Sequence, residues 1–481
     1  MESLFTIAAI RNACVAKRSG RKRRARLLTL TALVTILSGP EVWADPGCAL
    51  KPFRWDEDCS NLRGQAGPPS GLERLRYIAL TDSGSVWLTL GGEYRFKTEY
   101  FNAPAFALQP VYERYTAVGE RFLLHADLRT AAGFRVFVQL SAATEAGRKP
   151  VYYPFDRSRP DIAQAFLDLP LLDGTVLRVG RQELDARGNR LISVREGANL
   201  RLAFDMAHLE SHFAGFDAVA FYGRPVLNKP GAFDDRGNPA EKFWGGWLQR
   251  PLDTTAGAPL ISVFFFSRER DHAVYQQGVA SDDRRTAGLR VSGTNPGWDY
   301  AAEASYQYGS FGTDDIAAHG AAGDIGWHPA MPGHPRIAAA FGYASGDSNP
   351  HDHTLGTFDV LYPNLGYFTD APVFYPGNNA DVQPNITVEV LRAVHLRAGS
   401  DVIYRISKRD AVYTAPGVPL IRGDGAGSSY VTALSYLRAD WTPAPGVSLT
   451  LSYVHGDAGS LIRSSGGHPF DYLAFWLDLR L

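Results

Sequence analysis

Cysteine and methionine are scarce in this 481-residue sequence, with three of each, and net charge is nearly absent, 49 Lys and Arg standing against 50 Asp and Glu. No run of eighteen apolar residues occurs beyond an N-terminal candidate, so a membrane protein built of spanning helices is excluded. The chain has no Gly-x-Ser-x-Gly elbow and no His-Glu-x-x-His pair, which removes the usual hydrolase and metalloprotease signatures. Its Gly423-x-Gly-x-Gly run has no following lysine and no flanking strand–helix unit, so it is not a phosphate loop. With no basic excess, nothing supports nucleic-acid binding. None of these absences excludes a membrane β-barrel, whose lipid-facing and lumen-facing residues alternate and cancel in any hydropathy average.

The N-terminus reads as an export signal. Lys17, Arg18, Arg21, Lys22, Arg23, Arg24 and Arg26 precede a short apolar core at 27–37, and Val42-Trp43-Ala44 is a small-x-small cleavage site. Cleavage is expected after Ala44, giving a signal peptide at 1–44. That segment holds eight basic and two acidic side chains, so 41 basic and 48 acidic remain, a net of about −7. Cys48 and Cys59 stay in a chain bound for an oxidising compartment, and a single disulfide between them is expected. Asp45-Pro46-Gly47 lacks the small apolar residues that precede a lipidated cysteine. Residues 45–84 read as a periplasmic lead-in, with one short helix within 71–80.

From residue 85 onward the sequence alternates. Leu88, Leu90, Tyr94, Phe96 and Tyr100 share one parity, while Thr89, Glu93, Arg95, Lys97 and Glu99 share the other. Successive side chains of a strand point to opposite faces, so one face is apolar and the other charged, over about the length a tilted strand needs to cross a bilayer. Phe122, Leu124 and Leu128 oppose Arg121, His125, Asp127 and Arg129; Leu202, Phe204 and Met206 oppose Arg201 and Asp205. Eighteen such runs are predicted: 86–100, 120–130, 134–143, 161–169, 175–182, 202–210, 216–222, 242–250, 260–268, 286–292, 298–308, 321–328, 336–344, 385–391, 395–406, 431–441, 447–454 and 471–481. The connections segregate by length. Those at 131–133, 171–174, 295–297, 329–335, 392–394 and 443–446 are short, and those at 101–119, 144–160, 183–201, 269–285, 345–384, 407–430 and 455–470 are long. Short periplasmic turns opposite long outer loops mark an outer-membrane barrel. The fold class is therefore all-β, an antiparallel up-and-down transmembrane barrel of about 18 strands over 85–481.

A lumen that wide fills with water unless loops plug it. Basic residues on the polar parity are Arg95, Lys97, Arg121, Arg129, Arg135, Arg178, Arg201, Arg290, Arg397, Arg405, Arg438 and Arg480, sharing that face with Glu93, Asp127, Asp168, Asp205, Glu303, Asp401, Asp440 and Asp478. Two readings stand. Fixed guanidiniums concentrate anions and dock carboxylates, or the two signs hold each other as a rigid wall ladder. His351-Asp352-His353 lacks a third metal partner in view, and Asp234-Asp235, Asp282-Asp283 and Asp314-Asp315 read as solvated charge. No metal or cofactor is expected.

The stretch Gly180-Arg181-Gln182-Glu183-Leu184, with Arg190 and then Arg195-Glu196-Gly197, Arg201 and Asp205, resembles the alginate-export family of outer-membrane barrels. The segment from Leu88 to Arg95 and the closing hairpins are similar to that family too. The resemblance implies an eighteen-stranded barrel passing an anionic polysaccharide through an arginine-rich lumen. It carries over Arg181, Glu183, Arg190, Arg195, Glu196, Arg201 and Asp205 as site positions. Arg181 shares parity with Leu177 and Val179, so it belongs at the strand end or past a bulge. The expected protein is a monomeric, non-enzymatic channel in the outer membrane of a Gram-negative bacterium, in contact with outer-membrane lipid and served by a periplasmic export partner. The alternative cargo is a small anionic solute.

Overall fold

A computed structural model describes residues 48–63, 71–108, 114–149, 152–186, 188, 190–415 and 417–481. The export signal expected at 1–44 lies outside these. Eighteen long strands follow one another: β1 (Val86–Asn102), β2 (Arg114–Thr130), β3 (Arg135–Ala146), β4 (Ser158–Leu172), β5 (Thr175–Glu183), β6 (Ala203–Phe213), β7 (Phe216–Leu227), β8 (Glu241–Pro251), β9 (Leu260–Tyr275), β10 (Gly278–Asn295), β11 (Trp298–Phe311), β12 (Asp314–Trp327), β13 (Arg336–Ala344), β14 (Asn379–Leu391), β15 (Val394–Arg405), β16 (Tyr430–Ala444), β17 (Val447–Gly456) and β18 (Phe470–Arg480). Each pairs antiparallel with its neighbour, and β1 pairs with β18 from Glu93 opposite Arg480 to Asn102 opposite Asp471. The sheet is closed and has no edge. Among the described residues no helix is long and apolar enough to cross a membrane, a statement that leaves strands untouched.

Burial runs opposite to that of a water-soluble sheet. Along β1 the odd, charged positions Glu93, Arg95, Lys97 and Glu99 are buried, and the even, apolar ones are partly exposed. Phe122 and Leu124 are exposed while Arg121 between them and the lumen is fully covered. Exposed Trp298, Trp327, Trp441, Phe134 and Phe213 lie near the short turns, whereas exposed Tyr100, Tyr222, Tyr306, Tyr404 and Tyr453 lie toward the long loops. Two aromatic girdles flanking an apolar band fit a membrane barrel.

One expectation about the loops changes. Residues 269–285 are not a long loop: β9 and β10 continue through them to a turn at Gln276-Gln277, with a register shift between Arg270 and Ala273. Likewise β12 starts at Asp314 and meets β11 across a turn at 312–313. The residues beyond the apolar band need no alternation, because both faces meet water or loops there, yet the backbone ladder persists.

The second change concerns in and out. Phe204 and Met206 point inward and are buried, joining Phe221, Phe243, Trp247, Phe264 and Phe266 of β7–β9. Loop residues Leu191, Ile192, Phe358, Val360, Leu361 and Tyr362 cover them from inside the barrel. Ser193 N donates to Tyr362 O at 2.9 Å and Tyr362 N to Leu191 O at 2.8 Å, which zips loops 184–202 and 345–378 together. On this side the lumen holds an apolar core, so polarity no longer tells inside from outside. Asp205 accordingly takes the outward parity.

Candidate functional site

Three segments narrow the lumen. At the short-turn mouth, residues 48–63 lie against inward side chains of the wall. Their short turns carry few backbone partners of their own, and wall arginines supply donors: Arg135 Nη2 to Trp55 O at 2.9 Å, and Arg129 to Glu57 O. Trp55 Nε1 donates to Glu183 Oε2 at 3.1 Å, and the Arg178 guanidinium lies 5.6 Å from the Trp55 ring centre. Arg54 donates to the carbonyl of Leu481, and the Cys48 and Cys59 sulfurs are bonded, closing the segment. A short 3₁₀ turn (Gly71–Leu75) stands where the short helix was expected.

Loop 345–378 enters from the other end and is held at two carboxylates, Asp410, which accepts Asp347 N at 2.9 Å and Thr357 Oγ1 at 2.6 Å, and Asp359. Asp359 is buried against Arg268 at 2.7 Å and Arg270 at 3.0 Å, and it accepts the hydroxyls of Tyr275 and Tyr375, each at 2.7 Å. Burial alone would raise its pKa, but Arg268, Arg270 and Arg284 hold it well below the usual carboxylate range. Backbone contacts complete the anchor: Gln307 Nε2 donates to Asp359 O at 2.6 Å and Arg284 Nη1 to Thr357 O at 3.0 Å.

Loop 184–202 lies on the wall of β1 and β2. Glu196 meets Arg95, Arg121 at 2.7 Å and Arg201. Burial would again raise its pKa, and Arg121, Arg201 and Arg95 overcome this and hold it far below the usual range. Beneath it Glu93 pairs with Arg121 and with Arg201 at 3.3 Å, and Arg95 pairs with Asp478 at 2.5 Å.

Between loops 184–202 and 345–378 and the wall of β1 and β16–β18 lies a cavity of about 600 Å³. Its walls include Arg95, Lys97, Arg148, Arg438, Arg480, Glu99, Glu145, Asp370, Asp440 and Asp478, with Tyr115, Tyr153 and Trp476 among the rings. Lys97 Nζ and the Arg438 guanidinium both stand about 5 Å from the Trp476 ring centre (5.2 and 5.1 Å).

The expected site residues therefore separate into groups. Arg95, Lys97, Glu196 and Arg480 reach the cavity, and Arg121, Glu183 and Arg201 form the buried layer behind it. Arg129, Arg135 and Arg178 hold the N-terminal segment and the carboxylates Asp127 and Asp168. Arg190 joins loop 184–202 to Asp324 at 3.9 Å, and Arg195 Nε donates to Pro363 O at 3.4 Å from a backbone φ of 57°. Arg397 faces inward, exposed, 5.7 Å from the Tyr436 ring centre. Two positions leave the set. Arg181 and Asp205 sit directly opposite each other on the outward parity of Val179 and form a two-point pair at 2.8 and 3.2 Å. A charged pair is tolerated outside the barrel there because the strand ends have cleared the apolar band.

Parity misses Asp359, Arg148 and Asp370, which lie in or beside loops, and Arg268, which shares the inward face of β9 with Phe264 and Phe266. A signal existed: the run Phe358-Asp359-Val360-Leu361-Tyr362 is too apolar for a loop in water. The carboxylates of Asp161, Asp234 and Asp235 lie within 4.8 Å of one another at the outer rim, but Asp161 already accepts the backbone N–H groups of the other two.

The family model described as alginate export matches residues 86–475. Among solved structures, the outer membrane protein OpdK of Pseudomonas aeruginosa aligns at 11% identity and a TM-score of 0.55, over 82% of this chain and 98% of that one. OccAB1 of Acinetobacter baumannii aligns at 13% and 0.54, over 82% and 96%. A BenF-like porin of Pseudomonas fluorescens Pf-5 aligns at 13% and 0.54, over 82% and 99%. No curated protein sequence matches significantly.

Proposed function

The chain belongs to the alginate export family, and from that premise we propose that it passes an anionic saccharide, a uronate chain of the alginate type, along the basic wall of its lumen. It is an outer-membrane channel of a Gram-negative bacterium, and its family and fold are those of transport channels. The observation that carries the cargo reading is the cavity wall, where Lys97 and Arg438 flank the Trp476 ring, with Arg95, Arg148 and Arg480 in the same wall. An indole face suits the C–H face of a sugar ring, and the flanking cations suit its carboxylate. Transport is diffusive and needs no cofactor or covalent step. The protein acts as a monomer, and a periplasmic partner delivers the polymer.

Most of these cations already have carboxylate partners, so selectivity rests on local exchange of partners and not on a bare positive ring. A second reading, a porin for small anions, draws support from the cavity, whose roughly 600 Å³ is the size of a small-molecule site. Planar-bilayer recording separates the two. Block by a uronate oligomer at far lower concentration than by glucuronate or acetate, weakened in Arg438→Ala and Lys97→Gln, is expected for the saccharide channel. Equal block by monomer and oligomer would favour the small-anion porin.

A further inference from the structure

Loop 184–202 docks through a short row of oxygens. After the Glu196 carboxylate come three successive carbonyls, each with a basic partner: Arg95 Nη1 donates to Glu196 O at 2.6 Å, Lys97 Nζ to Gly197 O at 3.0 Å, and Arg121 Nη1 to Ala198 O at 3.2 Å. Four basic side chains thus hold one carboxylate and three neutral oxygens clustered on the turn 195–198, where Ala198 N donates to Arg195 O at 2.9 Å. An acidic sugar chain offers the same set, a carboxylate beside hydroxyl and ring oxygens. The Glu196 side chain is 36% exposed, while those of Arg95, Arg121 and Arg201 are 7%, 0% and 4% exposed. The loop's carboxylate therefore stands between the cavity and the guanidiniums. Glu93, Glu183 and Asp478 partner these arginines from the wall, so the loss of Glu196 leaves three guanidiniums with three wall carboxylates and makes the patch one charge more positive than before.

We propose that residues 196–198 are an internal stand-in for the cargo: they fill a carboxylate site formed by Arg95, Lys97, Arg121 and Arg201, and an acidic solute occupies that site by displacing them. This rests on the reading of the cargo as a carboxylate. The stand-in is tethered, and a tethered ligand competes at an effective concentration on the order of millimolar. A single carboxylate in dilute solution loses to it. A polymer bearing many carboxylates in a row re-enters after each release and wins, so the loop selects for chain length as well as charge.

The test uses the full chain in planar bilayers, with Glu196→Gln beside the unaltered protein and two probes, a KCl gradient and a uronate hexamer. Glu196→Gln is expected to move the reversal potential toward anions and to lower the half-blocking hexamer concentration about tenfold, the equivalent of about 1.4 kcal/mol. An unchanged reversal potential and unchanged block in the variant, with the unaltered protein blocked by hexamer, would overturn this inference alone. A shift toward anions with neither protein blocked would overturn the saccharide reading and the displacement with it. Heat-modifiable gel mobility verifies folding. If Glu196→Gln does not fold, Glu196→Asp, which keeps the charge but shortens the reach, is expected to tighten hexamer block, and unchanged block would count against the proposal.

Discussion

Arg121 and Leu124 sit three residues apart on one strand, the first wholly covered and the second 65% exposed. In water this would be an inverted arrangement; in a bilayer it follows from lipid outside and a polar lumen inside. Arg121 bridges Glu93 and Glu196, so Arg121→Ala removes one guanidinium from a buried network in which Arg95 and Arg201 remain, and is expected to cost about 1.5–3 kcal/mol, read by urea unfolding in lipid vesicles. Leu124→Arg puts a charge on the lipid face and is expected to cost about 2–4 kcal/mol in the same assay. Arg181→Ala, outside the barrel, is expected to leave ion selectivity unchanged. The pH dependence follows from Glu196. Its folded-state pKa is depressed, so its docking energy is fully present above the ordinary carboxylate pKa and is lost as pH falls through the depressed value. Docking of loop 184–202, read as resistance to proteolytic nicking there, is therefore expected to hold from pH 8 to 5 and to weaken only in strong acid; nicking that already rises near neutrality would contradict this.

Secondary elements divide the work. The strands make a wall, and the connections decide how much of the lumen remains. The segment 48–63 borrows the donors of Arg129 and Arg135 and sets Trp55 against Arg178, so it covers basic groups at the short-turn mouth that an anion would otherwise meet. Deleting 48–63 is expected to raise single-channel conductance and anion selectivity together; unchanged current would show that the segment lies off the ion path. Asp359 plays the corresponding part for loop 345–378. Asp359→Asn removes the charge facing Arg268, Arg270 and Arg284, and is expected to speed proteolytic nicking within 345–378 while the barrel stays folded.

Over the whole molecule, the barrel was legible because the bilayer imposes a strict period of two on each strand, and all eighteen predicted runs fall on observed strands. Legibility failed where that constraint lapses. Strands β9 and β10 extend past the apolar band, where 269–285 alternate poorly, and the inward faces of Phe204 and Met206 are apolar because a loop covers them. The basic parity found the residues behind Glu196, but nothing in the spacing showed that the chain's own carboxylate meets them. Single-channel recording of the full chain with a graded series of uronate oligomers tests the central claim most directly. Discrete blockades whose dwell time lengthens with oligomer length, on an anion-preferring background, are expected. Steady current indifferent to every oligomer would contradict a channel for acidic saccharide.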